Sequence, residues 1–188
     1  MKTIRLNEEI FCVELIDGNE VIDSYKLEEP DCGYGGNDVF EAPAGNMFAM
    51  CFYSGESDNA FIIFSVTDNK LNALINEDYS YGEATYMWSP DSRYFYRLVD
   101  SYERYDASDD GIYPVGRADV YGVLTNEKNS VDLTFDFTGF DMEQIDFFEM
   151  RLIQDNEKVC VSLNGKTVEL KEGTDGLQNR QVDSSFCY

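Results

Sequence analysis

The stretch Asn46 to Thr67, NMFAMCFYSGESDNAFIIFSVT, decides the fold. Met47 to Tyr53 and Ala60 to Val66 are apolar at almost every position, on both alternating sides of an extended chain. That pattern predicts strands buried on both faces, because a strand with one wet face alternates. Each run holds only seven residues, short for a globular helix. Ser54 to Asn59 supplies Ser, Gly, Asp and Asn, which suit tight turns, so the two runs are expected to form a central antiparallel hairpin.

Working outward, Ile10 to Ile16, the turn Asp17-Gly18-Asn19 and Glu20 to Leu27 read as a first hairpin. Glu28 to Asn37, EEPDCGYGGN, is a loop by its Pro, Gly and acid content, and its glycines do not fit the spacing of a dinucleotide cradle. Leu71 to Ile75 is ambiguous between strand and helical turn. Glu83 to Ser89 and Arg93 to Asp100 are strands about Ser89-Pro90-Asp91-Ser92, where Pro90 presets φ for a type I turn. Further strands are Arg117 to Leu124, Val131 to Thr138, Ile145 to Gln154, Lys158 to Leu163 and Lys166 to Lys171, the last two joined by the type I′ signal Asn164-Gly165. Val131, Leu133, Phe135 and Phe137 should face inward and Asp132, Thr134, Asp136 and Thr138 outward. A helical turn within Phe140 to Phe148 is the competing assignment there. About twelve short strands and no amphipathic helix give an all-β chain, an antiparallel β-sandwich or bent meander with at most one or two short helices. The expected organisation is one domain over 1–172 and a C-terminal tail over 173–188.

The stretch MWSPDSRYFYRL, Met87 to Leu98, resembles the W-S-P-D-G-x-Y hairpin of TolB-like and WD40-like β-propeller blades. Ser92 stands where the blade usually has Gly, and the sequence offers one copy of the motif. The resemblance implies a blade-like antiparallel meander and carries no function.

The 188 residues carry 14 Lys and Arg against 37 Asp and Glu, a net charge of −23 with a pI near 4.1. Direct binding to nucleic acid or to an anionic membrane is thereby excluded, since both are gripped with cations. With 43% hydrophobic and 14% aromatic residues the chain is nonetheless composed to fold. The opening MKTIRLNEEIF lacks the apolar core of a signal peptide and no run of apolar residues is long enough to span a bilayer, so a cytoplasmic location is expected.

Histidine is absent, which removes Ser-His-Asp and Cys-His catalysis and histidine metal sites; no enzyme and no cofactor are expected. The five cysteines, Cys12, Cys32, Cys51, Cys160 and Cys187, lack disulfide or zinc-ribbon spacing and read as reduced thiols, with Cys12 and Cys51 packed as small hydrophobes. From Asp106, the loop DASDDG matches the start of an EF-hand, but position twelve falls on Arg117 where a bidentate Glu is needed, so no metal site is assigned.

That acidic loop lies among tyrosines, and rigid aromatic area beside carboxylates suits a basic protein surface. The candidate partner-binding set is Tyr102, Tyr105, Asp106, Asp109, Asp110 and Tyr113, with Asp132 and Asp136 as an exposed acidic row. By the usual size scaling, the −23 spread over about 9,000 Å² averages roughly one net charge per 400 Å². A duplex carries roughly one per 100 Å², so mimicry of DNA requires the acids to gather on one face. In bulk character the chain resembles phage-encoded anti-CRISPR and anti-restriction proteins and the immunity proteins of nuclease toxins. That resemblance implies an inhibitor of a basic, nucleic-acid-handling partner such as a nuclease, acting at its phosphate-binding surface. The alternatives are a carbohydrate- or calcium-binding sandwich and a non-catalytic adaptor or subunit.

Overall fold

A computed structural model of the chain describes residues 2–27, 36–54, 58–100, 111–139 and 148–170. The expected tail, 173–188, lies outside them. Two compact units divide the chain at Tyr81 and Gly82. The first holds β1 (Lys2–Asn7), β2 (Cys12–Asp17), β3 (Glu20–Lys26), β4 (Gly36–Glu41), β5 (Met47–Ser54), β6 (Asp58–Thr67) and β7 (Lys70–Tyr81). The second holds β8 (Ala84–Trp88), β9 (Tyr94–Asp100), β10 (Ile112–Gly122), β11 (Glu127–Asp136), β12 (Met150–Asp155), β13 (Lys158–Leu163) and β14 (Lys166–Glu169). Among the described residues there is no helix, so the all-β antiparallel expectation holds.

Each unit pairs a three-stranded with a four-stranded antiparallel meander. In the first, β1-β2-β3 packs on β4-β5-β6-β7 around Ile4, Val13, Leu15, Phe48, Met50 and Phe64. In the second, β8 to β11, ordered β11-β10-β9-β8, packs on β12-β13-β14 around Tyr96, Leu98, Val120, Leu133, Phe137 and Val161. The central hairpin is β5–β6, and both of its faces are buried: Phe48, Met50 and Phe64 on one, Ala49, Cys51 and Ile63 on the other. Its strands run further toward the turn than the residue types suggest, since Ser54 pairs with Asp58.

Turn chemistry sets the registers. Asn164 (φ 48°) and Gly165 (φ 83°) form the expected type I′ pair. The first hairpin instead turns on Gly18-Asn19, because Asp17 pairs with Glu20. Leu71 to Ile75 belongs to β7, entered through Asp68 (φ 52°) and Asn69 (φ 63°), another left-handed pair formed without glycine. Phe140 to Phe147 lies outside the described residues.

The blade-like hairpin is present, and it has a second copy. In β8–β9, Ser92 N donates to Ser89 O at 3.0 Å, Ser89 N to Tyr94 O at 2.9 Å and Val123 N to Arg93 O at 2.9 Å. In β4–β5, Gly45 N donates to Ala42 O at 2.8 Å, Ala42 N to Met47 O at 2.9 Å and Val66 N to Asn46 O at 2.9 Å. Ala42-Pro43-Ala44-Gly45-Asn46-Met47 thus matches Ser89-Pro90-Asp91-Ser92-Arg93-Tyr94 residue for residue. Ser92 (φ 63°) occupies the left-handed position that Gly45 (φ 74°) fills in the other copy. The reading of a single copy is therefore corrected. Only the proline and the following aromatic survive at the sequence level, while the backbone pattern is retained. The outer hairpins correspond as well: Cys12-Val13-Glu14-Leu15 and Cys160-Val161-Ser162-Leu163 each lead into a tight turn, with Val and Leu of both in the cores.

Candidate functional site

The face of β8–β11 turned away from the β12–β14 core is laid out in cross-strand rows. Register places Trp88, Phe95, Tyr121 and Lys128 in one row, Tyr86, Arg97, Asp119 and Ser130 in the next, and Ala84, Val99, Arg117 and Asp132 in a third. Beyond the extra residue that β10 carries between Pro114 and Gly116, Pro114 faces Thr134 and Ile112 faces Asp136. Burial falls steadily across the rows, from Phe95, Arg97 and Asp119 at 0–1% exposure to the exposed Lys128, Ser130 and Asp132 on β11.

Asp119 is the centre of this face. Its Oδ2 accepts from Arg97 Nη2 at 2.7 Å and Nε at 3.1 Å, and its Oδ1 accepts from Ser130 Oγ at 2.6 Å. Arg117 Nε approaches Oδ1 at 3.1 Å, carrying a second guanidinium to the rim of the sheet. Burial alone would push the Asp119 carboxyl up. The hydrogen bonds from Ser130 and Arg97 and the charges of both arginines outweigh it and hold Asp119 below the usual carboxylate range. Aromatic rings adjoin the pair: Tyr86, in its own row, stacks on Phe95 at 5.7 Å, and in the next row Trp88 tilts against Phe95 at 5.0 Å and Lys128 Nζ lies 5.1 Å from the Tyr121 ring. The result is a buried polar row that emerges at Ser130, next to the exposed Asp132.

Of the residues singled out from sequence, Tyr102, Tyr105, Asp106, Asp109 and Asp110 lie outside the described residues. Tyr113 is half-buried on the core side, its ring 6.4 Å from Phe137, so part of it is structural. Asp132 and Asp136 share the ribbon face, as the alternation predicts; Asp132 is exposed, while Asp136 is half-buried and caps Thr138 N at 2.9 Å. Arg97 and Asp119 were not recognised from sequence. A lone arginine inside the aromatic run Tyr94 to Val99 is the signal that finds them, because a charge in a strand buried on both sides needs a partner.

Elsewhere, an open depression of about 770 Å³ lies beside the β12–β13 turn, with Asp155, Glu157 and Glu169 around Cys160. Lys158 Nζ crosses it to Glu169 Oε1 at 2.6 Å. Burial first, and then the neighbouring carboxylates, push the Cys160 thiol up, and burial with Glu14 does the same for Cys12. Both are therefore protonated and unreactive at neutral pH. Among the described residues no three acidic or cysteine side chains converge as a metal-ligand set. Nor is any helix there long and apolar enough to cross a membrane.

Compared with known proteins, the chain matches no family model and no curated protein. Among solved structures it is similar to the WD40 domain of SCAP from fission yeast, with a TM-score of 0.38 and 12% identity over 81% of this chain. It spans 41% of that domain.

Proposed function

We propose that this chain is a non-catalytic binding protein that captures a basic partner protein, and that the partner handles nucleic acid and is inhibited when its phosphate-binding surface is covered. The observation that carries the reading is how the protein spends its charge. Against 37 acids stand 14 cations, and Arg5, Arg93, Arg97, Arg117, Arg151 and Lys158 are each already ion-paired with the chain's own carboxylates. Among the described residues most of the acids are exposed to solvent and to whatever binds there. Such a field accelerates encounter with a cationic surface and repels nucleic acid itself. The ribbon of β10 and β11 offers a place to dock, with Ile112, Pro114 and Asp132 exposed on the face where Asp119 holds Arg97 and Ser130.

The test is affinity capture from lysate of the native host, followed by kinetics with the purified captured protein. The expected partner is basic, its association slows steeply between low and physiological salt while dissociation changes less, and nucleic acid competes for it. Salt-independent association, or a ternary complex holding this protein and nucleic acid together on the partner, would refute groove blocking.

A further inference from the structure

The two four-stranded sheets end on strands of different character. β7, the terminal strand of the first, is irregular against β6 at two places, Asn59/Phe61 and Ile63/Phe64. Such irregularities twist an edge and prevent another strand from adding to it. β11, the terminal strand of the second, runs from Glu127 to Asp136 without an extra residue of its own, since the break in that ladder lies on β10. Among the described residues, Ser130 to Thr134 pair on one side only, with β10. One face of this span is Val131 and Leu133, sealed into the core; the other is Ser130, Asp132 and Thr134, exposed or half-buried. Arg117, directly opposite Asp132, is drawn onto Asp119, and among the described residues Asp132 has no ion-pair partner.

We infer that the β11 edge at Ser130–Thr134 is a strand-addition site for an extended segment in which Lys or Arg alternates with aliphatic residues. The inference rests on the proposed capture of a basic partner and names the contact. An added strand places alternate side chains on the face of Asp132, where a cation is matched, and the remainder on the face of Val131 and Leu133, whose apolar surroundings match an aliphatic side chain. Backbone hydrogen bonds supply affinity and the alternation supplies selection. A second copy of this chain is the poorer occupant, because two bodies of −23 repel.

The probe is a fluorescein-labelled peptide of alternating lysine and valine, titrated into the full chain at low salt and followed by anisotropy. Two further versions carry backbone N-methyl groups at alternate residues, in the two opposite phases. Only one edge of the peptide faces β11, so one phase should weaken binding at least tenfold and the other should bind like the parent. Asp132→Lys should weaken the parent at least tenfold. If both methylated peptides bind as the parent does, strand addition is wrong, while the basic-partner reading stands if Asp132→Lys still weakens binding. If Asp132→Lys changes nothing, the site is elsewhere. Sedimentation showing dimers that the peptide dissociates would give the edge to a second copy and overturn the proposal.

Discussion

Replacing Asp119 by Ala takes the carboxylate away from a buried guanidinium. Arg97 is 1% exposed and makes two of its bonds to that one carboxylate oxygen, at 2.7 and 3.1 Å. Breaking a buried pair by deleting one member costs about 3–5 kcal/mol, because the remaining charge stays desolvated. At roughly 4–8 °C per kcal/mol for a unit of this size, the midpoint should fall by roughly 12–40 °C. The protein also contains its own control. By the hairpin correspondence, Arg97 and Asp119 occupy the places that Met50 and Ile62 hold in the first unit, where the pair is apolar and buried. Arg97→Met with Asp119→Ile should therefore recover most of the loss, to within about 1.5 kcal/mol of the parent, since charge and counter-charge leave together. Urea unfolding followed through Trp88, the single tryptophan and buried on the same face, reads both variants and the coupling between them. A cost below about 1 kcal/mol for Asp119→Ala, or a double variant no better than the single, would refute the reasoning.

Three further outcomes are expected. Asp119 is held below its ordinary value of 3.8, so its stabilisation is complete above that pH and is lost as pH falls through the lower folded value; the parent should lose stability between pH 6 and pH 3 by more than the Arg97→Met/Asp119→Ile variant, as urea midpoints will show. A methyl group on Gly116 would collide with Val99 O and sit 2.6 Å from Met150 Cε, so Gly116→Ala should cost about 1–3 kcal/mol, whereas Gly36→Ala, with nothing among the described residues within 4 Å, should change the thermal midpoint little. Calcium at micromolar concentration should give no saturable rise in melting temperature, because Arg117, in the position of the EF-hand's closing glutamate, is committed to Asp119; a saturable rise lost on Asp106→Ala with Asp110→Ala would overturn this.

The sheets were legible because strand period and turn chemistry are local. The apolar doublet at Met47 to Val66, the alternation at Val131 to Phe137 and the turn at Asn164-Gly165 each specify their own geometry within a few residues. What was not legible depends on partners distant in sequence. The turn at Asp68-Asn69 was missed because both residues take left-handed backbone without the glycine that usually signals it. The second blade hairpin was missed because Ala42, Ala44 and Gly45 replace Ser89, Asp91 and Ser92. In one copy the turn is fastened by side chains, with Ser89 Oγ donating to Asp91 Oδ1 at 2.7 Å and accepting from Tyr94 N at 2.9 Å; in the other it rests on its backbone hydrogen bonds and a glycine. The Arg97–Asp119 pair is separated by 22 residues and appears only when register sets β9 beside β10.

The divergence between the two copies bears on what the ion pair is for. Met50 and Ile62 show that this cross-strand position, in this hairpin geometry, can be filled by apolar side chains, and a buried ion pair seldom exceeds such a pair in stability. What Asp119 adds is direction. An isoleucine there has nothing to offer the Ser130 hydroxyl or the Arg117 guanidinium, whereas the carboxylate holds the first at 2.6 Å, two residues before the exposed Asp132, and the second at 3.1 Å, directly opposite it. The charge buried in the sheet thereby fixes the spacing of polar groups on its surface, a preorganisation that lowers the entropic cost of binding. The Arg97→Met/Asp119→Ile chain separates the two roles, because it should fold nearly as well as the parent yet leave Ser130 and Arg117 unanchored. If its affinity for the lysine-valine peptide equals that of the parent, the pair contributes packing alone and the ribbon needs no bracing from β9.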